Sequence, residues 1–270
     1  MWLDELATAH AAAAPNWTTL LERCRLAFDP PLHEIVARFF LLFGHSEFWL
    51  RLPSVLFGLA AIGVLMLCVR RVFGARGAWY AGALFALNSR AILHSQDARM
   101  YALALFLAAL STYALIRVVE GAGRLWLAAY ATSACLQGYN HIVYTSVLAG
   151  QIAVVVGLLL FSRERSRSLR RLLLAQALAL AMLAPLTPLL LAIAAVRNRI
   201  YGFWTSSPDW AWLRDFFEWP EVSFALVTIP GIILLWRRRR QLRLSNLNQT
   251  VLLWLGIVYA AMWPGAVLAA

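Results

Sequence analysis

The chain contains no lysine: all 24 basic residues among its 270 are arginine. It is also poor in charge. Asp, Glu, Lys and Arg make up only 14%, where soluble domains carry about a quarter. That shortage argues against one large soluble core, since 62% of the residues are hydrophobic and the mean hydropathy is +0.69. Cysteine is scarce, and Cys24, Cys68 and Cys135 share no metal-ligand spacing. Cys68 and Cys135 fall inside apolar runs and read as small hydrophobes. Low-complexity linkers and internal repeats are lacking as well.

What the chain does have is long apolar blocks, the pattern of a polytopic membrane protein. Eight spans are expected: Leu52–Val69, Ala78–Leu93, Met100–Val119, Leu125–Tyr139, Ile142–Phe161, Leu172–Ala194, Phe224–Trp236 and Thr250–Leu268. Several are shorter than the roughly 20 residues of a perpendicular span. They must borrow flanking residues or sit where the bilayer thins. The expected fold class is all-α, a polytopic membrane bundle of about eight transmembrane helices with external juxtamembrane helices. Residues 1–51 are expected to form an external acidic loop with juxtamembrane helices, and residues 52–270 the transmembrane bundle.

Arginine placement sets the orientation. Alternate connections hold Arg70, Arg71 and Arg76; Arg117 and Arg124; "SRERSRSLRR" at 162–171; and "RRRRQLR" at 237–243. That side carries fifteen arginines and two acids, Glu120 and Glu164, for a net +13; the other side has a net −2. The arginine-rich side is the cytoplasmic one. The basic runs therefore read as topology signals. They lack the interleaved aromatics that stack on single strands, and no nucleic-acid partner is expected.

Three regions fall outside. They are the stretch up to Arg51, the short loop holding Asp97 beside the turn at His141, and the Trp- and Phe-rich residues 197–222. In the first, "NWTTLLERCRLAF" at 16–28 suits a short interfacial helix. Asp29-Pro30-Pro31 breaks the chain, and "LHEIVARFFLLFG" at 32–44 restarts as a helix too short and too charged to cross. Pro31 suits its first turn and Gly44 its end.

The outer acids carry the chemical interest: the adjacent Asp4 and Glu5, the group Asp29, His33 and Glu34, and Asp97 in "HSQDARMYAL" at 94–103. A carboxylate facing an aqueous cavity can deprotonate a hydroxyl, hold a divalent metal or accept hydrogen bonds from a sugar. Arg51 and Arg99 lie close enough to the spans to meet a lipid phosphate through paired N–H donors. Blander readings stand beside these. Asp4 and Glu5 suit a helix N-terminus; Asp97 and Arg99 can end two helices and pair with each other. His33 and Glu34 can be ordinary polar-face residues, and His141 can satisfy a helix end. No single motif is specific.

Together the pieces resemble the GT-C membrane glycosyltransferases, nearest glycosyltransferase family 39. Its relatives include protein O-mannosyltransferases, the aminoarabinose transferase acting on lipid A, and Rgt-type transferases of lipopolysaccharide core sugars. "WLDELAT" at 2–8 is similar to the acidic motif of the first external loop. "DPPLHEIVARFFLLFGHSEFWLRLPSVLFG" at 29–58 resembles the Pro-Pro-Leu helix and Arg-Leu-Pro-Ser entry to a span. "RRVFG" at 70–74 resembles the inner turn, "HSQDARMYAL" the second external motif, "GYNHIVYT" a Tyr-x-His segment and "YGFWTSSPDWAWL" a late outer-loop motif.

The resemblance implies an inverting transfer from a polyprenyl-phosphate sugar to a hydroxyl on a glycolipid, polysaccharide or protein. The enzyme would be multi-pass in the plasma (inner) membrane, with its site on the non-cytoplasmic side. Carried over, Asp4 is the general base, Glu5 supports it and Asp97 shapes the sugar or metal site. Arg51 and Arg99 are the phosphate candidates, with His33, Glu34, Tyr101 and His141 as further substrate contacts. A cofactor is not identified; a divalent metal is compatible. Family members place a span before the acidic loop, whereas Met1 here lies three residues before Asp4 and the chain stops in "MWPGAVLAA". A chain truncated at its N-terminus is the corresponding expectation. Two other readings stay open: a lipid-linked sugar transporter or flippase, and an inactive lipid-binding relative. Transporters favour midplane ionisable groups, and the expected span interiors hold no Asp or Glu.

Overall fold

A computed structural model describes residues 3–27, 29–141, 147–152, 155–156, 167–189 and 191. Among these, every regular element is helical. Three short helices come first: α1 (Leu3–Ala12), α2 (Trp17–Ala27) and α3 (Leu32–Leu41). The stretch expected as an acidic loop is thus helical from Leu3. Its alanine content favours helix, and Asp4 and Glu5 occupy the first turn, where the helix dipole favours anions. The Asn16 side chain accepts from the Thr19 N–H at 2.8 Å and so opens α2. Pro31 is the N-cap of α3, so the Asp-Pro-Pro break falls where the sequence puts it.

α4 (Glu47–Ala86) is two helices joined at Gly74, whose φ of 75° and ψ of −175° are far from helical. Glycine adopts a positive φ without the Cβ clash that other residues meet. The two arms double back on each other: a Cβ built at Gly82 would lie 2.6 Å from the Met66 sulfur, and one at Gly58 would strike Ser95. "RRVFG" is therefore the bend of a hairpin. The run expected as the span Ala78–Leu93 is interrupted. Helix stops at Ala86, and Asn88 caps α5 (Ser89–Gln96) by accepting the Ala91 N–H at 3.0 Å. The polar Asn88-Ser89-Arg90 provides a new helix start inside the apolar run.

α6 (Tyr101–Val119), α7 (Arg124–Asn140) and α8 (Arg167–Leu183) form the main core, followed by a 3-10 turn over Ala184–Leu186. Ala114, Leu115, Val118, Tyr130, Ala131, Leu148, Leu172 and Ala175 are buried together there. Pairs Tyr130–Gln176 and Tyr139–Met182 show α8 running alongside α7 in the same direction. The amide nitrogens of three glutamines in this interior donate hydrogen bonds, whereas their Oε1 atoms are buried without a partner among the described residues. Nε2 of both Gln137 and Gln151 donates to Ser111 Oγ at 2.9 Å, and Gln176 Nε2 donates to the Tyr130 hydroxyl at 3.1 Å.

Three helical stretches among the described residues are long and apolar enough to cross a membrane: Glu47–Arg71, Tyr101–Val119 and Arg170–Leu189. The chain is an integral membrane protein built of helices. The expected Leu125–Tyr139 corresponds to the 17 residues of α7. Only part of Ile142–Phe161 is described. Phe224–Trp236, Thr250–Leu268 and the aromatic stretch 197–222 lie outside the described residues.

The ends of the bundle differ in charge. At one, Arg71 and Arg117 share Glu120 at 3.3 and 3.0 Å, and the Arg117 guanidinium lies 5.3 Å from the Trp126 ring centroid. At the other lie α1, α3, the first turns of α4, the 97–100 loop and the end of α7.

Candidate functional site

The site assembles because small residues let four segments meet. Ala12 of α1, Ala37 of α3, Leu50 of α4 and Ala98 of the loop are buried in one cluster. Arg38 of α3 donates to the Ala12 carbonyl at 3.1 Å and also to the Ala14 carbonyl, satisfying the C-terminal end of α1. Asn140 at the end of α7 donates to the Met100 carbonyl at 2.9 Å, which ties the loop to the main core.

Two arginines organise the charge. Arg51 holds Glu5 in a two-pronged ion pair, Nε to Oε1 at 2.9 Å and Nη2 to Oε2 at 2.8 Å. Its Nη1 lies 3.5 Å from Glu47. Glu5 is 1% exposed, and its Oε1 also accepts the Ala98 N–H at 2.9 Å. The paired geometry and the third donor offset the desolvation of a buried carboxylate. One side chain thereby fastens α1 to both the span entry and the loop. Arg51, a phosphate candidate by sequence, is engaged by Glu5 and Glu47.

Arg99 is differently placed. Its Nη1 donates to the Asp4 carbonyl at 3.3 Å, while Nε is buried with no hydrogen-bond partner among the described residues. Its charge is felt at Asp29, His33, Glu34 and His141. Asp4 stands exposed in the first turn of α1. Asp29 is half-buried, and its carboxyl is raised by burial, with Arg99 opposing and Asp4 adding.

His33 and Glu34 are not surface residues: they are 1% and 4% exposed. Burial pushes the His33 imidazole down to about 4, with Arg99 adding to that. The Ala98 backbone opposes it, although neither ring nitrogen meets hydrogen-bond geometry. Burial, with help from Asp29, raises Glu34 to about 7, while its own backbone N–H and Arg99 oppose. Glu34 Oε2 has no hydrogen-bond partner among the described residues. Burial thus favours the neutral form of both groups: His33 stays neutral near pH 7, while Glu34 is poised between its two forms there.

Asp97 ends α5 as its C-cap, and its carbonyl accepts the Arg99 N–H at 2.8 Å. Next to it a file of rings crosses three helix ends. His94 and Tyr101 centroids are 4.5 Å apart, and Tyr101 and His141 are 6.2 Å apart. Burial, then Arg99, lowers His141 to about 4. Asp4, Glu5, His33, Glu34, Arg51, Asp97, Arg99, Tyr101 and His141 thus all lie at one end of the bundle.

Sequence reasoning named Asp29 only within the group of outer acids and gave no role to His94 and Asn140, though all three lie inside motifs it singled out. The available signals were the acid before the Pro-Pro break, the histidine opening "HSQDARMYAL" and the asparagine of "GYNH". Among the described residues, no group of three or more His, Cys, Asp or Glu side chains is gathered to hold a metal ion.

A family model described as dolichyl-phosphate-mannose-protein mannosyltransferase matches residues 29–191. No curated protein and no solved structure matches the chain.

Proposed function

The chain belongs to the dolichyl-phosphate-mannose-protein mannosyltransferase family, membrane glycosyltransferases of GT-C type, and from that premise we propose the reaction it performs. A sugar passes from a polyprenyl-phosphate donor to a hydroxyl acceptor, with inversion at the anomeric carbon. Asp4 is the base. It takes the acceptor proton as the hydroxyl oxygen bonds to the anomeric carbon and the bond to the phosphate oxygen breaks. The electron pair leaves with the polyprenyl phosphate, whose growing charge Arg99 offsets. Glu5 is a positioning residue, held by Arg51 and the Ala98 N–H, that fixes the turn carrying Asp4. Asp97, Tyr101 and His141 flank the sugar. The site faces the non-cytoplasmic side of the plasma membrane, by the arginine bias of the opposite connections.

The observation that supports this reading is the Arg99 guanidinium donating to the Asp4 backbone carbonyl, across 95 positions of sequence, which brings the turn carrying the Asp4 carboxylate beside that arginine. An exposed carboxylate and a guanidinium with an unpartnered buried nitrogen share the mouth of a membrane bundle. An arginine with an unused N–H donor beside a potential base suits a phosphate-leaving transfer. Proteoliposomes carrying the full chain and a mannosyl-phosphoryl-polyprenol test it. Donor consumption that depends on an added alcohol, with the sugar recovered on that alcohol, is expected. Movement of intact donor across the bilayer without sugar transfer would replace this reading with lipid transport.

A further inference from the structure

The arginine-rich end of the bundle holds charge that the fold does not use. The stretches long enough to cross a membrane reach that end at Arg71, Val119 and Arg170, so the arginines around them sit at headgroup depth. Arg70, Arg71 and Arg76 surround the Gly74 bend of α4, and all three are exposed. Arg117 lies in the last turn of α6, and Arg124 opens α7 after a tight turn in which Gly121 has a φ of 85°. Tyr130 and Gln176, equally far in from Arg124 and Arg170, are bonded to each other, so the start of α8 lies beside that of α7. Among the described residues, Glu120 is the one acid at this end.

Arg71 Nη1 and Arg117 Nη1 both donate to Glu120 Oε2, at 3.3 and 3.0 Å. One carboxylate thus faces two guanidiniums, each with five N–H donors, and Arg117 Nε has no hydrogen-bond partner among the described residues. The Trp126 ring, 5.3 Å from the Arg117 guanidinium, holds it in place and itself packs edge-on against Tyr113 at 5.2 Å. Arg124 and Arg170 gain nothing from their own helices, because the dipole disfavours cations near an N-terminus. Phe73, Trp79 and Leu125 stand exposed next to these arginines in sequence. Membrane sidedness accounts for arginine anywhere in these connections. It does not account for two arginines on one carboxylate oxygen, with a stacked tryptophan behind them and bare apolar side chains at the rim.

We propose that the notch between the α4 bend and the α6–α7 turn binds the headgroup phosphate of an anionic phospholipid of the phosphatidylglycerol type. The phosphate oxygens accept from Arg71 and Arg117 beside Glu120, Arg76 and Arg124 add positive charge, and the acyl chains lie against the exposed apolar side chains. Charge complementarity selects the occupant: arginines from three connections meet one acid. The cytoplasmic leaflet, which the arginine bias assigns to this end, is also where anionic lipid collects. A zwitterionic headgroup cancels its own phosphate charge and fits less well. The notch lies at the opposite end of the bundle from Asp4 and Arg99, so it stands apart from the transfer reaction.

The full chain, purified in an uncharged detergent, is titrated with phosphatidylglycerol, phosphatidylcholine and glycerol phosphate. Retained lipid is read by native mass spectrometry and the melting point is read alongside. Phosphatidylglycerol should bind saturably, at least tenfold tighter than phosphatidylcholine, and raise the melting point. Glycerol phosphate at the same concentrations should neither raise the melting point nor displace the lipid. Arg71→Gln and Arg124→Gln should each weaken phosphatidylglycerol binding about fivefold, the scale of one arginine at an anionic surface. Arg124 is exposed, so its variant keeps the fold even where Arg71→Gln disturbs the bend. Arg25→Gln, exposed on α2 at the other end, should change binding less than twofold. Equal binding of phosphatidylcholine, wild-type affinity in both notch variants, or an equal effect of Arg25→Gln would overturn the proposal. Displacement of the lipid by glycerol phosphate would overturn it too, by making this a site for soluble phosphate.

Discussion

Replacing Glu34 by glutamine should reshape the pH dependence of stability in a way worked out from three buried groups. Glu34 titrates near 7 in the fold, against an ordinary 4.5. Between those values the folded chain keeps a proton that the unfolded chain has lost, so rising pH weakens the fold. With each unit worth about 1.4 kcal/mol, the loss amounts to roughly 3 kcal/mol by the time pH passes 7. His33 and His141 act in the opposite sense. Both are lowered to about 4 from 6.5, so the unfolded chain binds the extra protons there, and stability grows as pH rises from about 4 to 6.5. Among these three groups the two rising contributions outweigh the falling one, leaving a net gain of roughly 3 kcal/mol. Glu34→Gln deletes the falling one. Whatever constant cost the exchange carries, the variant should gain roughly 3 kcal/mol on the wild type between pH 4.5 and 7.5. Unfolding of the detergent-purified chain, followed across that range for both proteins, reads this directly. Parallel stability curves would refute the buried, proton-holding state of Glu34.

The Glu5–Arg51 pair gives a second prediction. Glu5→Ala should destabilise by about 2–4 kcal/mol, reduced from the 3–5 kcal/mol of a fully buried pair because Arg51 is about one-third exposed. A double-mutant cycle with Arg51→Ala should show coupling well above that of surface pairs, and near-additive effects would count against the clamp. Gly74→Ala should cost about 1–3 kcal/mol from a φ of 75° and ψ of −175° that essentially only glycine adopts, since nothing lies within 4 Å of the added carbon. An unchanged melting point would mean that the bend is not glycine-dependent. Arg99→Met should raise the donor KM at least tenfold while leaving the melting point within a few degrees, given that Arg99 is only half-buried and its bond to the Asp4 carbonyl is a long 3.3 Å. Equal donor KM would remove Arg99 from phosphate binding.

Local chemistry made some of this fold legible in the sequence. The Asp-Pro-Pro break, the bend at "RRVFG" and the entry near Arg51 are all written in short-range signals: proline, glycine and the edge of an apolar run. The interruption at Asn88 was masked by apolar residues on both sides, although an Asn-Ser pair is a helix-start signal in its own right. The helical state of residues 3–12 was hidden differently, because two adjacent acids read equally as loop and as first helical turn. The pairing of Glu5 with Arg51 and Ala98 spans 46 and 93 residues. Periodicity carries no information at that range, so the engagement of Arg51 was not visible. Nor was the burial of His33 and Glu34, which depends on α1 and α2 folding over a face of α3 that looks polar in isolation. The gathering of acids at one end was anticipated from charge segregation alone, since alternate connections must emerge on the same side.

Asp4→Asn in the reconstituted full chain tests the central claim most directly, with sugar transfer from mannosyl-phosphoryl-polyprenol measured alongside donor binding and thermal stability. The account predicts at least a hundredfold fall in kcat, within the range for losing a general base, with donor affinity and melting point near those of the wild type. A variant that transfers sugar at the wild-type rate would contradict it.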